Sequence, residues 1–250
     1  MSYSLSGREI AVFDTDICLE SMKIPKNFKV QDLTKQSFRC DKKSSSKKNA
    51  RVRELGQHGE FVLDRLFALY KKEEELKIYY FSVFENKTMS EARIIEALKL
   101  LKDRQVEFIL FAGGLPLEKN SYSAKLYSSK LFLLGTGQVG RGIKETTRLW
   151  PQNYSLKKML VGYYKQAKSA PFQKMFAKGQ LNEKKAYVFL PHRSKKSKLK
   201  YSSLAVSNIA GLILQNCNRI SIHCLNEMLK AEKIDGREVR ILREEYLGKI

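Results

Sequence analysis

The chain has 250 residues, of which 43% are hydrophobic, enough to bury the core of one large domain or two small ones. No apolar run approaches the roughly 18 residues of a membrane-spanning helix, and MSYSLSGREIAVFD lacks the basic start and apolar stretch of a secretory signal. Lys and Arg number 47 against 26 Asp and Glu, a net charge of +21 that favours acidic partners such as nucleic acid, anionic lipid or acidic proteins.

IAVF (10–13) reads as a first strand ending at Asp14. DKKSSSKKNARVR (41–53) is serine-rich and poor in large apolar residues, the pattern of an exposed basic loop. HGEFVLDRLFALYKK (58–72) places Phe61, Val62, Leu66 and Leu69 at helical spacing. KIYYFSVF (77–84) is a strand by its aromatic and β-branched content, and 89–105 is an amphipathic helix with Ser90 as N-cap. VEFILFAGG (106–114) reads as a buried strand ending in Gly-Gly. SKLFLLGTGQVGRG (129–142) is another strand, entering a glycine-rich loop. KKMLVGYY (157–164) and KKAYVFLP (184–191) read as further strands, and HRSKKSKLK (192–200) as a second basic loop. LKYSSLAVSNIAGLILQ (199–215) has the small, apolar cadence of a buried helix, and CLNEMLKAEK (224–233) reads as a last helix.

Strands and helices alternate, and the strands are continuously apolar. That predicts an α/β fold: a mostly parallel sheet with helices on both faces. The sequence shows no internal repeat and no dividing linker, so 1–250 is read as a single domain. The cysteines Cys18, Cys40, Cys217 and Cys224 form no CxxC pair, and there are only three histidines, so no zinc site is expected. Reduced cysteines in a cytoplasmic setting are the expectation. The basic runs lack the interleaved aromatics of a nucleic-acid surface and read as solvated loops, with phosphate binding second.

In such sheets chemistry gathers at the carboxyl ends of the strands. Asp14 ends the first strand, His58 opens one helix and Ser203 opens another. Taken singly, each has a plain structural reading: a turn residue, a helix cap and an N-cap, with Ser202 equally able to cap. Gly135, Gly137 and Gly140 lack the following Lys-Ser/Thr of a phosphate loop. His192 lies in a basic loop and His223 beside Cys224, so both fit surface or packing roles. Taken together, the chain order Asp, His, Ser is that of subtilisin.

With those residues in place, the chain resembles the subtilase (subtilisin-like serine peptidase) family from about Ile10 to its end. AVFDTDI resembles the strand ending in Asp-Thr/Ser-Gly, which implies Asp14 as the triad aspartate. QHGEFV resembles the His-Gly-Thr helix start, which implies His58 as the base. SEARIIEALKLLKDRQVEFILFAGG looks like the helix and central strand whose end hydrogen-bonds the substrate backbone, here Ala112, Gly113 and Gly114. LFLLGTGQVG is similar to the strand and Ala-Gly-Asn-x-Gly loop that bear the oxyanion residue, which falls on Gln138. RLWPQNYSLKKMLVG is similar to the stretch with the Pro-Ala-x-Tyr turn. YSSLAVSNIAGLIL resembles Gly-Thr-Ser-Met-Ala…His-Val-Ala-Gly, which implies Ser203 as the nucleophile.

The resemblance implies a subtilisin-like three-layer fold and a serine endopeptidase acting on a polypeptide substrate through an acyl-enzyme, without cofactor or metal. The KKEEEL segment leaves no room for the family's calcium loop, and the few residues before the first strand imply no prodomain. Several positions depart from the pattern. Gln138 replaces asparagine and is one methylene longer; a lost oxyanion donor costs on the order of 3 kcal/mol. Asp16 replaces glycine and brings a second carboxylate. Tyr201-Ser202 replaces Gly-Thr, and Ser207-Asn208 replaces Pro-His, where only packing is expected to change. The alternative reading is a catalytically weak or inactive subtilase-like module whose basic surface binds an acidic protein or nucleic acid.

Overall fold

The computed structural model describes residues 7–34, 58–85, 88–117, 130–136, 148–151, 157–166, 174–176, 186–191 and 202–249. Both basic runs, Cys40, Gln138, His192 and Tyr201 lie outside them. In chain order the elements are β1 (Arg8–Asp14), β2 (Phe28–Asp32), α1 (His58–Leu69), β3 (Leu76–Ser82), β4 (Phe84–Glu85), β5 (Thr88–Met89), α2 (Glu91–Leu100), β6 (Ile109–Phe111), β7 (Leu115–Leu117), β8 (Phe132–Gly135), β9 (Arg148–Trp150), β10 (Lys158–Gln166), β11 (Lys174–Phe176), β12 (Val188–Pro191), α3 (Ser202–Asn216), α4 (Ile222–Met228), β13 (Leu229–Ile234), β14 (Arg237–Leu242) and α5 (Glu244–Leu247).

The main sheet runs β13-β14-β12-β10-β8-β6-β1-β3-β2, with β11 paired to β10. It is parallel from β14 to β2 and antiparallel only at the β13–β14 and β10–β11 pairs. The strands are apolar on both sides because both sides are covered. On β1, Ile10 and Val12 enter a core with Val62, Leu63 and Leu66 of α1 and Val206, Ile209 and Ile213 of α3. Ala11 and Phe13 enter a second core with Ile94 and Ala97 of α2. By the same alternation, the next residue, Asp14, points to the α1/α3 face. The expected α/β fold, with its subtilisin-like layering of helix, parallel sheet and helix, is the observed one.

Helices α1 and α3 pack closely because Gly211 leaves room. A Cβ there would sit 2.7 Å from Leu69 Cβ. Ala205 and Ala210 are likewise fully buried, so small residues allow α3 to lie deep against the sheet. At the lower end of α3, Arg8 reaches from β1. Its Nε and one terminal nitrogen bond Glu107 at 2.6 and 2.7 Å, while the other donates to the carbonyls of Leu214 and Cys217, each at 2.6 Å.

Three expectations need correction. The segment 224–233 is not one helix. It is the end of α4 followed by strand β13, which buries Leu229 and Ile234 and pairs with β14 across a tight turn at Asp235 (φ 48°) and Gly236 (φ 75°). Two positive φ angles in an Asp-Gly pair make the turn that a right-handed hairpin favours. The cysteines among the described residues are not reduced. Cys217 at the end of α3 and Cys224 in α4 form a disulfide, because the chain reverses between the two helices and brings their Cα atoms to 5.9 Å. Cys18 is disulfide-bonded as well. The strand expected over 106–114 narrows to β6, with Val106 and Phe108 buried on the approach to it. Strand β2 was not expected; only Phe28 of it is buried, so it carries little apolar signal.

Candidate active site

The carboxyl end of β1 and the first turns of α1 and α3 meet above the sheet. Asp14 Oδ1 lies 2.6 Å from His58 Nδ1, and His58 Nε2 lies 2.8 Å from Ser203 Oγ. An ionised carboxylate only accepts hydrogen bonds, so Nδ1 carries the proton facing Asp14. Nε2 of the neutral ring then presents a lone pair to the Ser203 hydroxyl, which donates to it. Asp14 and Ser203 are buried, at 2% and 3% exposure, while the His58 side chain keeps 20%.

Local contacts hold each partner. Asp14 Oδ1 also accepts the Thr15 N–H at 2.7 Å. Thr15 Oγ1 accepts the Gly59 N–H at 3.0 Å, and the Glu60 carboxylate accepts the Cys18 N–H at 3.1 Å. The first turn of α1 is thus sewn to the loop after β1, with Glu60 placed where the helix dipole favours a negative charge. Gly59 is required by this approach: a Cβ would fall 1.9 Å from Tyr80 Oη and 2.9 Å from the Thr15 carbonyl. Tyr80, fully buried, donates its hydroxyl to that same carbonyl. Asp16 turns to the end of β3, where it accepts the Ser82 hydroxyl.

Electrostatics set the ionisation of His58. Burial lowers its pKa, but the charge of Asp14 and its hydrogen bond together outweigh burial and raise it above the ordinary 6.5.

Among the other sequence-predicted residues, Ala112, Gly113 and Gly114 form the half-exposed segment between β6 and β7. A Cβ on Gly113 would meet the Met89 methyl at 2.6 Å. β7 pairs antiparallel with β9 just beyond. The oxyanion expectation, Gln138, lies outside the described residues. Strand β8 ends at Gly135, and the next residue, buried Thr136, donates its N–H to the Val161 carbonyl at 3.0 Å. His223 is exposed and pairs with Glu227 at 3.2 Å. Among the described residues, no group of three His, Cys, Asp or Glu side chains could hold a metal ion.

Two contacts at the start of α3 were not anticipated. Tyr163 of β10 accepts the Ala205 N–H at 3.1 Å. The Ser207 hydroxyl donates to the Ser203 carbonyl at 3.0 Å, so the Ser207 departure reaches the backbone of Ser203 itself and not only packing. No spacing rule in the sequence links a strand tyrosine to a helix forty residues later.

The architecture matches solved structures. These include a mutant of the protease domain of PatA (TM-score 0.51, 13% identity, 85% of this chain and 82% of that one). They also include the prenylagaramide maturation protease PagA (0.51, 13%, 82% and 72%) and the PatG macrocyclase domain (0.50, 14%, 92% and 80%). The likeness is one of fold. No protein-family model matches the chain. No curated protein matches it significantly.

Proposed function

We propose that the chain is a serine peptidase of subtilisin-like design, with Ser203 as nucleophile, His58 as general base and acid, and Asp14 as the group that orients His58. The observation that carries this reading is the continuous hydrogen-bonded line from Asp14 through His58 to Ser203 at 2.6 and 2.8 Å. A serine hydroxyl attacks a carbonyl only when a base takes its proton, and His58 Nε2 is in place to do so. The Ser203 oxygen adds to the scissile carbonyl carbon as its proton passes to Nε2. The imidazolium then protonates the departing amine, the C–N bond breaks, and an acyl ester remains on Ser203. Water, deprotonated by His58, hydrolyses the ester and regenerates the hydroxyl. The negative charge of Asp14 stabilises the imidazolium at each stage.

The developing oxyanion is assigned to the Ser203 backbone N–H at the positive end of α3, with Gln138 as the side-chain donor. Ala112, Gly113 and Gly114 are assigned to backbone pairing with the substrate peptide. Domains named for proteolysis and for macrocyclisation share this fold, and an acyl-enzyme is open to attack by water or by an amine; water is the acceptor proposed here. The disulfide between Cys217 and Cys224 supports an oxidising compartment over the cytoplasmic one. The whole reading is tested with a fluorophosphonate probe. Wild-type protein is expected to label, Ser203→Ala is expected not to label, and His58→Ala is expected to label more slowly by on the order of 10⁶. Folded wild-type protein that does not label would refute the reading.

A further inference from the structure

A side chain of the sheet can tie the first turn of a helix to the layer beneath it. At the start of α3 the Ala205 N–H donates to the hydroxyl of Tyr163 at 3.1 Å. Tyr163 reaches it from β10, 42 residues earlier, and belongs to the same buried core as Ala205, Val206 and Ile209. Ala205 is fully buried and lies two residues after Ser203. The backbone of Tyr163 pairs with Leu190 of β12, and the strand before it pairs with β8 as far as Val161. The Ser203 carbonyl, for its part, accepts the Ser207 hydroxyl at 3.0 Å.

We infer that Tyr163 is a positioning residue for the nucleophile: its hydroxyl fixes the first turn of α3 against the central sheet and so sets the Ser203 oxygen at hydrogen-bonding distance from His58. The inference rests on the reading of Ser203 as nucleophile. Burial raises the Tyr163 pKa far more than the Ala205 hydrogen bond and the charge of Arg65 lower it. The hydroxyl therefore stays neutral, and adds no charge to the site, at any pH where His58 acts. This role goes to a tyrosine because its ring reaches from the sheet to the helix while filling the core between them, which a shorter hydroxyl could not do.

The test removes the hydroxyl and keeps the ring. With a fluorophosphonate that labels wild type, Tyr163→Phe is expected to lower the maximal labelling rate constant about five- to tenfold, the range of one neutral hydrogen bond, with the half-saturating probe concentration and the pH midpoint unchanged. Amide exchange at Ala205 is expected to be slow in wild type and at least about tenfold faster in the variant. Tyr163→Leu, which removes packing too, is expected to lower the melting temperature further than Tyr163→Phe. Tyr163→Phe labelling at the wild-type rate overturns the inference and leaves the peptidase reading standing. An unprotected Ala205 amide in wild type also overturns it, whether or not the variant folds. Absence of wild-type labelling overturns both.

Discussion

The two ends of helix α3 are built for opposite purposes. At its start, Ser203 shares a hydrogen bond with His58, and the turn makes neutral hydrogen bonds with Tyr163 and Ser207. At its end, Arg8 donates to the Leu214 and Cys217 carbonyls while bridging to Glu107, and the Cys217–Cys224 disulfide closes the exit. In the proposed reading one end keeps a reactive hydroxyl poised; the other satisfies two helix-end carbonyls with a buried charge and ties the exit with a covalent bond. Stability and reactivity are separated along fifteen residues of one helix. Substitutions at the two ends are expected to move different observables.

The largest effect is at the reactive end. Ser203→Ala is expected to remove the labelling reaction altogether while changing the melting temperature little, because among the described residues the Ser203 hydroxyl bonds to the partly exposed ring of His58. A large loss of stability in that variant would break the comparison. At the sealed end, Arg8→Met leaves Glu107 unpaired beside two bare helix carbonyls and is expected to cost about 3–5 kcal/mol. Urea unfolding measures it. The double variant Arg8→Met with Glu107→Leu is expected to recover much of the loss, since the cost lies in the orphaned charge. Labelling rates of the folded fraction stay near wild type in both.

Replacing Cys217 and Cys224 together by serine is expected to cost about 2–3 kcal/mol, the loop-closure value for so short a separation. Mass spectrometry of the unreduced protein, with and without alkylation, checks the bond itself. Two unreacted thiols at these positions would contradict the pairing. Between the two ends, Gly211→Ala pushes a methyl into Leu69 and is expected to destabilise by about 1–3 kcal/mol, by forcing α1 away from α3. Because α1 carries His58, this variant is expected to lower both the melting temperature and the labelling rate.

The sequence made the reactive end legible and hid the sealed one. Asp14, His58 and Ser203 stand at the ends of strongly patterned elements, so their chain order could be read as one constellation. Gly211, Ala205 and Ala210 announced a buried helix by their size alone. The Arg8–Glu107 pair, by contrast, links residues 99 apart whose types say only that they are charged. The disulfide was missed because a spacing of seven residues has no motif, and the chain reversal that closes it is tertiary. The β13–β14 hairpin does carry a signal in the sequence: its Asp235-Gly236 pair is a strong turn former, and it ends the apolar segment that begins in α4. Tyr163 could not be found from sequence, since nothing in LVGYYKQ distinguishes a core tyrosine from one that caps a distant helix.

The smallest effect concerns pH and sets the two ends against each other most sharply. His58 acts as a base only when neutral, so the labelling rate is expected to rise with pH through a midpoint above 6.5. A folded-state pKa raised above the unfolded value also favours the folded protein. That contribution is fully present below the unfolded value of about 6.5 and is lost as pH rises through the folded one. Activity therefore appears over the same interval in which this stabilisation disappears. Asp14→Asn removes the charge that raises His58 and leaves burial, which lowers it. The variant is expected to shift the midpoint downward, to flatten the stability change across that interval, and to label slowly at every pH because the tautomer is no longer held. Arg8→Met, far from His58, is expected to leave the midpoint where it is in wild type. A midpoint that moved with Arg8 and not with Asp14 would show that the two ends of α3 are not independent.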